Sequence, residues 1–279
     1  MTIAVALKVH DGLVLAADSA STLMETNPAG QQIIYNVYNN ANKVFNLYKN
    51  LPLGGVTWGL GAIGRASIST LIKDVRRRFV EGTPEWKIDP NDYTIEDVAK
   101  KVRRFLYEEN YRPLYSNLPH KPTLGFLVAG YSSGQALPEA WKVLIAPDGC
   151  GEPEVIQKRD EDTGVYADGQ PEAIARLILG YGTALPTALG TAGADEAWIR
   201  SAMEIIQSQL SVQFVVPGMP IQDTIDVAEF FVYLTTMFSR FTPGAPTVGG
   251  PTEIAAITKH EGFKWVKRKY YFSKDMNSE

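Results

Sequence analysis

Apolar runs separated by turn residues predict β-strands at the start of the chain. Ile3–Val9 and Leu13–Ala17 are almost continuously apolar, and the Asp11-Gly12 dipeptide between them is a strong hairpin signal. Val44–Leu47 and Gly55–Leu60 are shorter apolar runs of the same kind. We therefore expect a hairpin and two further strands in this part of the chain.

A helical period begins at Ala62. Apolar side chains recur at steps of three and four residues as far as Phe79, and the arginines 76–78 lie on the opposite side. A second helix is predicted after Thr94, which has an acidic residue three positions later as in a capping box, and it should end before Pro113. The later segments predict strands at 123–129, 141–146, 253–258 and 263–270, and helices near 171–179, 195–209 and 224–241.

The order of these elements predicts the fold class. Strands, two helices, strands, helices and strands follow one another without a change in composition or a flexible linker. We predict a single α+β domain over residues 1–279, in which helix pairs cover stacked antiparallel sheets. Residues 23–42 are polar and rich in asparagine, which predicts an extended loop with an irregular strand, and a C-terminal extension is expected after about residue 270.

Composition and charge exclude several classes of function. The chain is 45% hydrophobic and 21% charged, as in globular proteins, and its net charge of −4 gives no general attraction to nucleic acid or anionic membranes. No apolar run approaches a membrane span, and Lys8 interrupts the first run, so neither a transmembrane helix nor a signal peptide is predicted. We expect a cytoplasmic protein.

The residues that usually bind metals are sparse. Cys150 is the only cysteine, which excludes an internal disulfide and any multi-cysteine metal site. His10, His120 and His260 are isolated and form no metal-binding spacing. The sequence therefore predicts neither a metal nor a cofactor.

Two short motifs point to other chemistry. Residues 59–64 fit the G-x-G-x-x-G motif of dinucleotide sites, but a polar segment follows the predicted helix where a second buried strand is needed. Residues 130–134 fit the G-x-S-x-G motif around Ser132, but the chain then leads towards a strand, as in a hairpin. Asp195 and His260 follow in the order of a triad, so a serine hydrolase using Ser132 stays open as an alternative.

The N-terminus carries the strongest candidate for chemistry. Thr2 is small enough to permit removal of Met1, and its hydroxyl would then be a nucleophile with its own α-amine as a base. Asp18 ends the second predicted strand sixteen residues later, so the hairpin brings it near Thr2, and Lys43 precedes the next apolar run. A buried Lys–Asp pair beside the threonine would lower the pKa of its hydroxyl and amine and stabilise an oxyanion.

At these residues the sequence resembles the proteasome β-type family of N-terminal threonine hydrolases. The matching blocks are Thr2–Lys8, Asp11–Ser19, Asn42–Phe45 and Trp58–Gly61. The spacing of sixteen residues between Thr2 and Asp18 is that of the family. The resemblance covers about the first 80 residues, and the remainder agrees in the order of its elements and in an Ala167-Asp168-Gly169 turn before a helix.

The resemblance implies a four-layer αββα sandwich that hydrolyses peptide bonds inside a chamber formed by rings. Thr2 would be the nucleophile, activated by Asp18 and Lys43, and the backbone N–H of Gly61, or of Gly64 in another register, would stabilise the oxyanion. The residues that would bind substrate are Ser21, Thr22 and Gly59, and Gly59 would leave a roomy specificity pocket. The implied partners are further copies of the chain and peptide or unfolded-protein substrates, and an ATP-dependent unfoldase is left open.

The sequence departs from the family at residues that orient the N-terminal amine. Asp168 stands where the family has a serine, and in residues 245–250 Ala245 and Val248 stand where the family has an aspartate and a serine. A non-catalytic ring protein, or an amidase of the same fold acting on a small amide, therefore stays open beside the peptidase. The length and the expected lack of a propeptide favour a bacterial proteasome homologue over a eukaryotic core subunit.

Overall fold

The computed structural model describes residues 2–26 and 32–269 of the chain. The strands are β1 (Ile3–Val9), β2 (Gly12–Ala17), β3 (Ser21–Thr26), β4 (Gln32–Tyr38), β5 (Val44–Asn46), β6 (Leu53–Gly59), β7 (Ala62–Ile63), β8 (Ala66–Ser67), β9 (Leu124–Gly130), β10 (Glu139–Ala146), β11 (Gly149–Cys150), β12 (Glu154–Gln157), β13 (Gly164–Gly169), β14 (Glu253–Thr258) and β15 (Gly262–Lys267). The helices are α1 (Ile68–Glu81), α2 (Ile95–Arg103), α3 (Arg112–Tyr115), α4 (Glu172–Leu179), α5 (Leu185–Thr191), α6 (Glu196–Leu210) and α7 (Ile221–Phe241), with a π-helical segment at Arg104–Tyr111. Among the residues described, no helix is both long enough and apolar enough to cross a lipid bilayer.

Two antiparallel sheets form the centre of this mixed α/β architecture. The first sheet has the order β13-β1-β2-β14-β15. The second has the order β11-β10-β9-β6-β5, and β12 pairs with β10. The strands β3 and β4 form a two-stranded ribbon, and β7 and β8 form a smaller one.

Three hydrophobic clusters hold the helices and sheets together. One cluster joins α4 and α7 to the first sheet, and α7 packs along β1 and β2. Another joins α1, α2 and the π-helical segment to the second sheet. The third lies between the two sheets, with side chains from β1, β2, β14 and β15 on one side and from β5, β6, β9 and β10 on the other.

The strand β1 shows why an almost continuously apolar run forms a strand here. Val5 and Leu7 pack in the cluster beneath α7, whereas Ala4 and Ala6 pack in the cluster between the sheets. Successive residues of a strand point to opposite faces, so a strand covered on both faces needs apolar residues at every position. The turn at Asp11-Gly12 then leads into β2, which confirms the predicted hairpin.

The first helix begins later than its apolar period indicates. The period predicts a helix from Ala62, but Gly64 has a φ of +59°, in the left-handed region, and the β7–β8 ribbon precedes α1. Ser67 then caps α1, because its side chain accepts a hydrogen bond from the Thr70 N–H. The helix from Ile68 follows the predicted spacing, with Leu71, Ile72, Val75 and Phe79 buried.

The second helix continues beyond the proline that was expected to end it. The Arg112 N–H donates to the carbonyl of Tyr107, five residues back, at the end of the π-helical segment. Pro113 occupies the start of α3, directly after this change of register. A proline lacks an N–H, so it is tolerated where the hydrogen-bond register changes and a new helical turn begins.

Two further segments differ from the sequence-based expectation. Within the predicted loop at 23–42, β3 and β4 pair as an antiparallel ribbon, although residues 27–31 lie outside the described residues. Residues 167–169, expected as a turn, form the end of β13 and pair with β1. The predicted extension after about residue 270 also lies outside the described residues.

The contact between Gly125 and Trp58 gives a test of the second sheet. These residues are paired across β9 and β6, and a Cβ on Gly125 would lie 2.0 Å from Trp58 Cε2. We expect Gly125→Ala to lower the free energy of unfolding by about 1–3 kcal/mol, as overpacking does in a filled core. Urea denaturation of this variant beside the wild type measures the change.

Gly218→Ala is the matched control. Apart from Gly218 itself and its two chain neighbours, no heavy atom of the described residues lies within 4 Å of a Cβ built at Gly218. Its free energy of unfolding should stay within about 0.5 kcal/mol of the wild type. Equal midpoints for the two variants would contradict the close contact at Trp58.

Candidate functional site

The carboxylate of Asp18 lies fully buried at the end of β2 and accepts four hydrogen bonds. Its Oδ1 accepts from Lys43 Nζ at 2.7 Å and from the Ile3 N–H at 3.0 Å. Its Oδ2 accepts from the N–H groups of Ala20 and Gly249, each at 3.0 Å. An ionised carboxylate has about four acceptor positions, so this carboxylate is fully satisfied without water.

Lys43 faces Asp18 from the second sheet. Its side chain is 6% exposed, and its backbone carbonyl accepts from the Thr57 N–H at 3.0 Å. Burial lowers the pKa of the Lys43 ammonium, and the charge of Asp18 and its hydrogen bond oppose that shift. The pair thus places an ammonium group where removal from water strengthens its electrostatic effect.

Thr2 lies at the start of β1, next to the end of β13. It is 3% exposed, and the residue after it, Ile3, pairs with Gly169. Gly169 has a φ of +90°, and a Cβ on it would lie 2.1 Å from the Thr2 carbonyl oxygen. Only glycine therefore fits beside the backbone of Thr2.

Thr2 and Lys43 open onto one small cleft. The residues that line this cleft are Thr2, Ala20, Ser21, Thr22, Ala41, Asn42, Lys43, Thr57, Trp58, Gly59, Leu60, Gly61 and Ile68. Ser21 and Gly61 are neighbours in it, since a Cβ on Gly61 would lie 3.4 Å from Ser21 Oγ. The structure thus brings six of the seven predicted site residues to the cleft and places the seventh, Asp18, against Lys43.

The two glycines near the cleft have different roles in the backbone. Gly59 has a φ of +84°, and a Cβ on it would lie 2.4 Å from the Thr123 carbonyl oxygen, so local geometry alone requires glycine there. Gly64, the alternative oxyanion donor, gives its N–H to the Tyr115 hydroxyl at 3.3 Å. Gly61, by contrast, lines the cleft together with Thr2 and Lys43.

Asp168 and the loop at 245–250 are where the sequence departs from the family that it resembles. Asp168 accepts hydrogen bonds from the Tyr166 hydroxyl and from the Gly169 N–H, each at 2.6 Å. Burial, followed by this contact with Asp168, raises the pKa of the Tyr166 hydroxyl. In the loop, Val248 is buried, and the adjacent Gly249 N–H still reaches Asp18.

The hydroxyl of Ser132, the alternative nucleophile, is occupied by hydrogen bonds that connect neighbouring segments of the fold. Its side chain is buried, donates to Glu139 Oε1 at 2.6 Å and accepts from the Ile95 N–H at 2.9 Å. Asp195 caps α6 by accepting from two backbone N–H groups of that helix. The segment after β9 returns as β10, which confirms the predicted hairpin and leaves no nucleophile elbow.

Two charged residues that were not predicted from the sequence, Glu253 and Lys269, lie behind Lys43. Glu253 begins β14 and accepts from the Lys43 N–H at 2.8 Å, and Lys269 lies 3.5 Å from the other oxygen of Glu253. Glu253 could have been noticed in the sequence, because it is a charged residue at the start of the otherwise apolar run at 253–257. No local pattern marks Lys269, which follows the last strand.

Comparisons with known proteins place the fold. No protein-family model matches the sequence, and no curated protein matches it. Among solved structures, the chain is similar to that of an Anbu (Gly-1) mutant from Hyphomicrobium sp. strain MC1. The TM-score is 0.50 at 14% sequence identity, over 96% of this chain and 86% of that chain. The similarity shows a shared fold and assigns no role to any residue.

The Asp18–Lys43 pair gives a stability prediction. Asp18→Asn leaves the Lys43 ammonium buried without its counter-charge, which costs about 3–5 kcal/mol when one partner of a buried ion pair is removed. We expect the free energy of unfolding, measured by urea denaturation, to fall by that amount, and to fall less in the double variant Asp18→Asn/Lys43→Met.

The same substitution at an exposed ion pair is the control. Asp74 lies 3.7 Å from Arg77 on the surface of α1, so Asp74→Asn should change the free energy of unfolding by at most about 0.5 kcal/mol. Equal effects at positions 18 and 74 would show that Asp18 does not support a buried charge.

Proposed function

We propose that the protein is an N-terminal threonine peptidase with a proteasome-like fold. After removal of Met1, the Thr2 hydroxyl oxygen attacks a peptide carbonyl carbon, and its proton passes to the Thr2 α-amine. The C–N bond then breaks, the amine leaves with that proton, and an ester remains on Thr2. Water hydrolyses the ester, which releases the acid and returns a proton to the threonine oxygen.

The observation that carries the proposal is the buried Asp18–Lys43 pair at the cleft that Thr2 lines. Lys43 is held by Asp18 at 2.7 Å, and both Lys43 and Thr2 face the same cleft. A fixed ammonium beside a hydroxyl favours its ionised form, and in a site removed from water this effect is strong. Burial lowers the pKa of the Lys43 ammonium, and the charge of Asp18 opposes that shift and so favours the protonated form.

The neighbouring residues of the cleft supply the other functions that amide hydrolysis requires. The N–H of Gly61 is the donor proposed for the oxyanion, and Ser21 stands beside it at the base of the β3–β4 ribbon. Ser21 and Thr22, with Gly59 opposite, are proposed to hold the substrate backbone. No cofactor is needed for this acyl transfer.

The architecture supports the proposal at the level of the fold. The three hydrophobic clusters support an order of helices, sheet, sheet and helices, which is the four-layer sandwich that the sequence resemblance implies for a single domain. The fold shared with the Anbu mutant supports a proteasome-like hydrolase in the same coarse sense. We extend this to assembly into a homo-oligomeric ring with the cleft facing an inner chamber.

A non-catalytic protein of the same fold is the second candidate. Val248 has no hydroxyl to offer the N-terminal amine, and Asp168 already accepts from Tyr166. The proposed base would then be less well oriented than in the family that the sequence resembles. This candidate predicts an assembled protein in which Thr2 does not react.

A covalent probe separates the two candidates. An N-terminal threonine supplies both a hydroxyl and an amine to a peptide epoxyketone, so the active enzyme should lose about 131 Da of methionine and gain one probe on Thr2. Intact-protein and peptide mass spectrometry measure both changes. A chain without Met1 that leaves the probe unreacted would favour the non-catalytic candidate.

Substitution of Thr2 tests the nucleophile. We expect Thr2→Ala to lower the hydrolysis of fluorogenic peptides by at least about a thousandfold, because no hydroxyl remains, whereas Thr2→Ser should keep measurable activity. Ser132→Ala should keep wild-type activity per folded molecule. Activity retained in Thr2→Ala and lost in Ser132→Ala would support the serine hydrolase instead.

The proposed ring is tested by measuring the molar mass of the protein by light scattering as it elutes from a size-exclusion column. The expected mass is a several-fold multiple of the 30.7 kDa chain, and Thr2→Ala should give the same value because its side chain lies inside the protomer. A monomeric mass at the concentration used for the activity assay would contradict assembly into a ring. It would not affect the proposed chemistry of Thr2, which the labelling experiment tests.

A further inference from the structure

The Asp18–Lys43 pair is half of a larger buried cluster of charges. Glu253 and Lys269 lie behind it, with side chains 2% and 8% exposed and Nζ of Lys269 at 3.5 Å from Oε1 of Glu253. Asp18 and Lys43 are 0% and 6% exposed. Two carboxylates and two ammonium groups are therefore removed from water together, and their charges balance.

Glu253 holds the backbone of Lys43. Its Oε2 accepts from the Lys43 N–H at 2.8 Å and from the Val44 N–H at 3.3 Å. Glu253 also pairs with Ala17, the residue before Asp18, in the register of β14 and β2. Neighbouring positions of the first sheet thus hold both ends of Lys43, the backbone through Glu253 and the ammonium through Asp18.

Lys269 joins Glu253 to the segment that leads into Lys43. Its ammonium donates to Ser19 Oγ at 2.5 Å and also to the carbonyl of Ala41. The Ala41 N–H in turn donates to the Ser19 carbonyl at 2.9 Å. The chain after β15 therefore returns to the back of the cleft, where it supplies the fourth charge of the cluster.

We propose that Glu253 and Lys269 are positioning residues for Lys43, in which Glu253 fixes its backbone and Lys269 balances the charge of Glu253. This inference rests on the proposed function of Lys43 at Thr2. Neither residue touches the reacting atoms, and both act through the place and charge of Lys43. Residues behind a site commonly hold its reactive groups within a fraction of an ångström of their working positions.

Removing the charge of Glu253 and removing that of Lys269 should shift the pKa of Lys43 in opposite directions. The charged groups around Lys43 are Asp18 and Glu253, which favour its protonated form, and Lys269, which disfavours it. Lys269→Met removes a cation, so the pKa of Lys43 should rise. Glu253→Gln removes an anion but keeps a hydrogen-bond acceptor, so the pKa of Lys43 should fall.

The first experiment measures the rate of epoxyketone labelling at Thr2 against pH. The alkaline limb of this profile, where Lys43 loses its proton, should move up by about one unit in Lys269→Met and down by about one unit in Glu253→Gln. The double variant Glu253→Gln/Lys269→Met keeps the cluster neutral, so its limb should return close to that of the wild type. If one single variant does not fold, the sign of the shift in the other, together with its reversal in the double variant, still tests the inference.

A shorter side chain separates position from charge. Glu253→Asp keeps the negative charge but withdraws the carboxylate by one methylene from the Lys43 N–H. We expect kcat to fall about tenfold or more with KM changed less than about twofold, because displacement of an activating group acts on the reaction step. Its alkaline limb should stay near that of the wild type.

The exposed pair of Glu229 and Lys267 provides matched controls. Lys267 donates to Glu229 at the surface, with side chains 49% and 39% exposed, so Lys267→Met and Glu229→Gln make the same changes outside the cluster. Both controls should keep the wild-type profile. Shifts of equal sign in Lys269→Met and Glu253→Gln, or no shift in either, would overturn the inference.

A second readout does not depend on activity. Competitive labelling of lysines with an amine reagent, followed by peptide mass spectrometry, gives the titration of Lys43 in each variant. Opposite displacements of this titration support the charge cluster even in a chain whose Thr2 does not react. An unreactive wild-type Thr2 would therefore reject the proposed function, whereas an unchanged Lys43 titration would reject the role of Glu253 and Lys269.

Discussion

The buried carboxylate of Asp18 is the constraint on which the geometry of the cleft depends. A carboxylate removed from water is tolerated only when charge and hydrogen bonds replace its hydration. Here the hydrogen bonds that replace hydration come from the N–H groups of Ile3, Ala20 and Gly249 and from the ammonium of Lys43. Because each donor belongs to a different segment, satisfying this one group fixes where those segments meet, and the cleft forms at that point.

Small residues of β1 and β13 allow close approach beside this site. Ala4 and Ala6 face the second sheet, and Gly169 allows the backbone of β13 to approach Thr2. Larger side chains would separate the sheets and lengthen the reach from Lys43 to Asp18. The apolar packing between the sheets and the polar cluster at their edge are therefore parts of one arrangement, in which dense packing holds a charged pair in place.

The departures from the family fall on side chains, whereas the backbone contacts to Asp18 are present. Val248 stands where the family that the sequence resembles has a serine, and the Gly249 N–H beside it donates to the carboxylate of Asp18. Glu253 and Lys269 add a second charge pair behind Lys43, which fixes that residue from its backbone as well as from its ammonium. The structure thus fixes Lys43 from both its backbone and its ammonium, and in the proposed mechanism these substitutions bear on the orientation of the base.

The sequence by itself determined the elements whose signals are local. Turn chemistry at Asp11-Gly12 and apolar runs on both sides gave the hairpin, and its length brought Asp18 back towards Thr2. The start of α1 and the passage of the second helix through Pro113 were decided by backbone geometry that apolar spacing does not record. Only the tertiary structure could bring Glu253 to Lys43 and Gly249 to Asp18, across 210 and 231 residues of chain, because such contacts arise from sheet order and burial, which leave no periodic mark in the sequence.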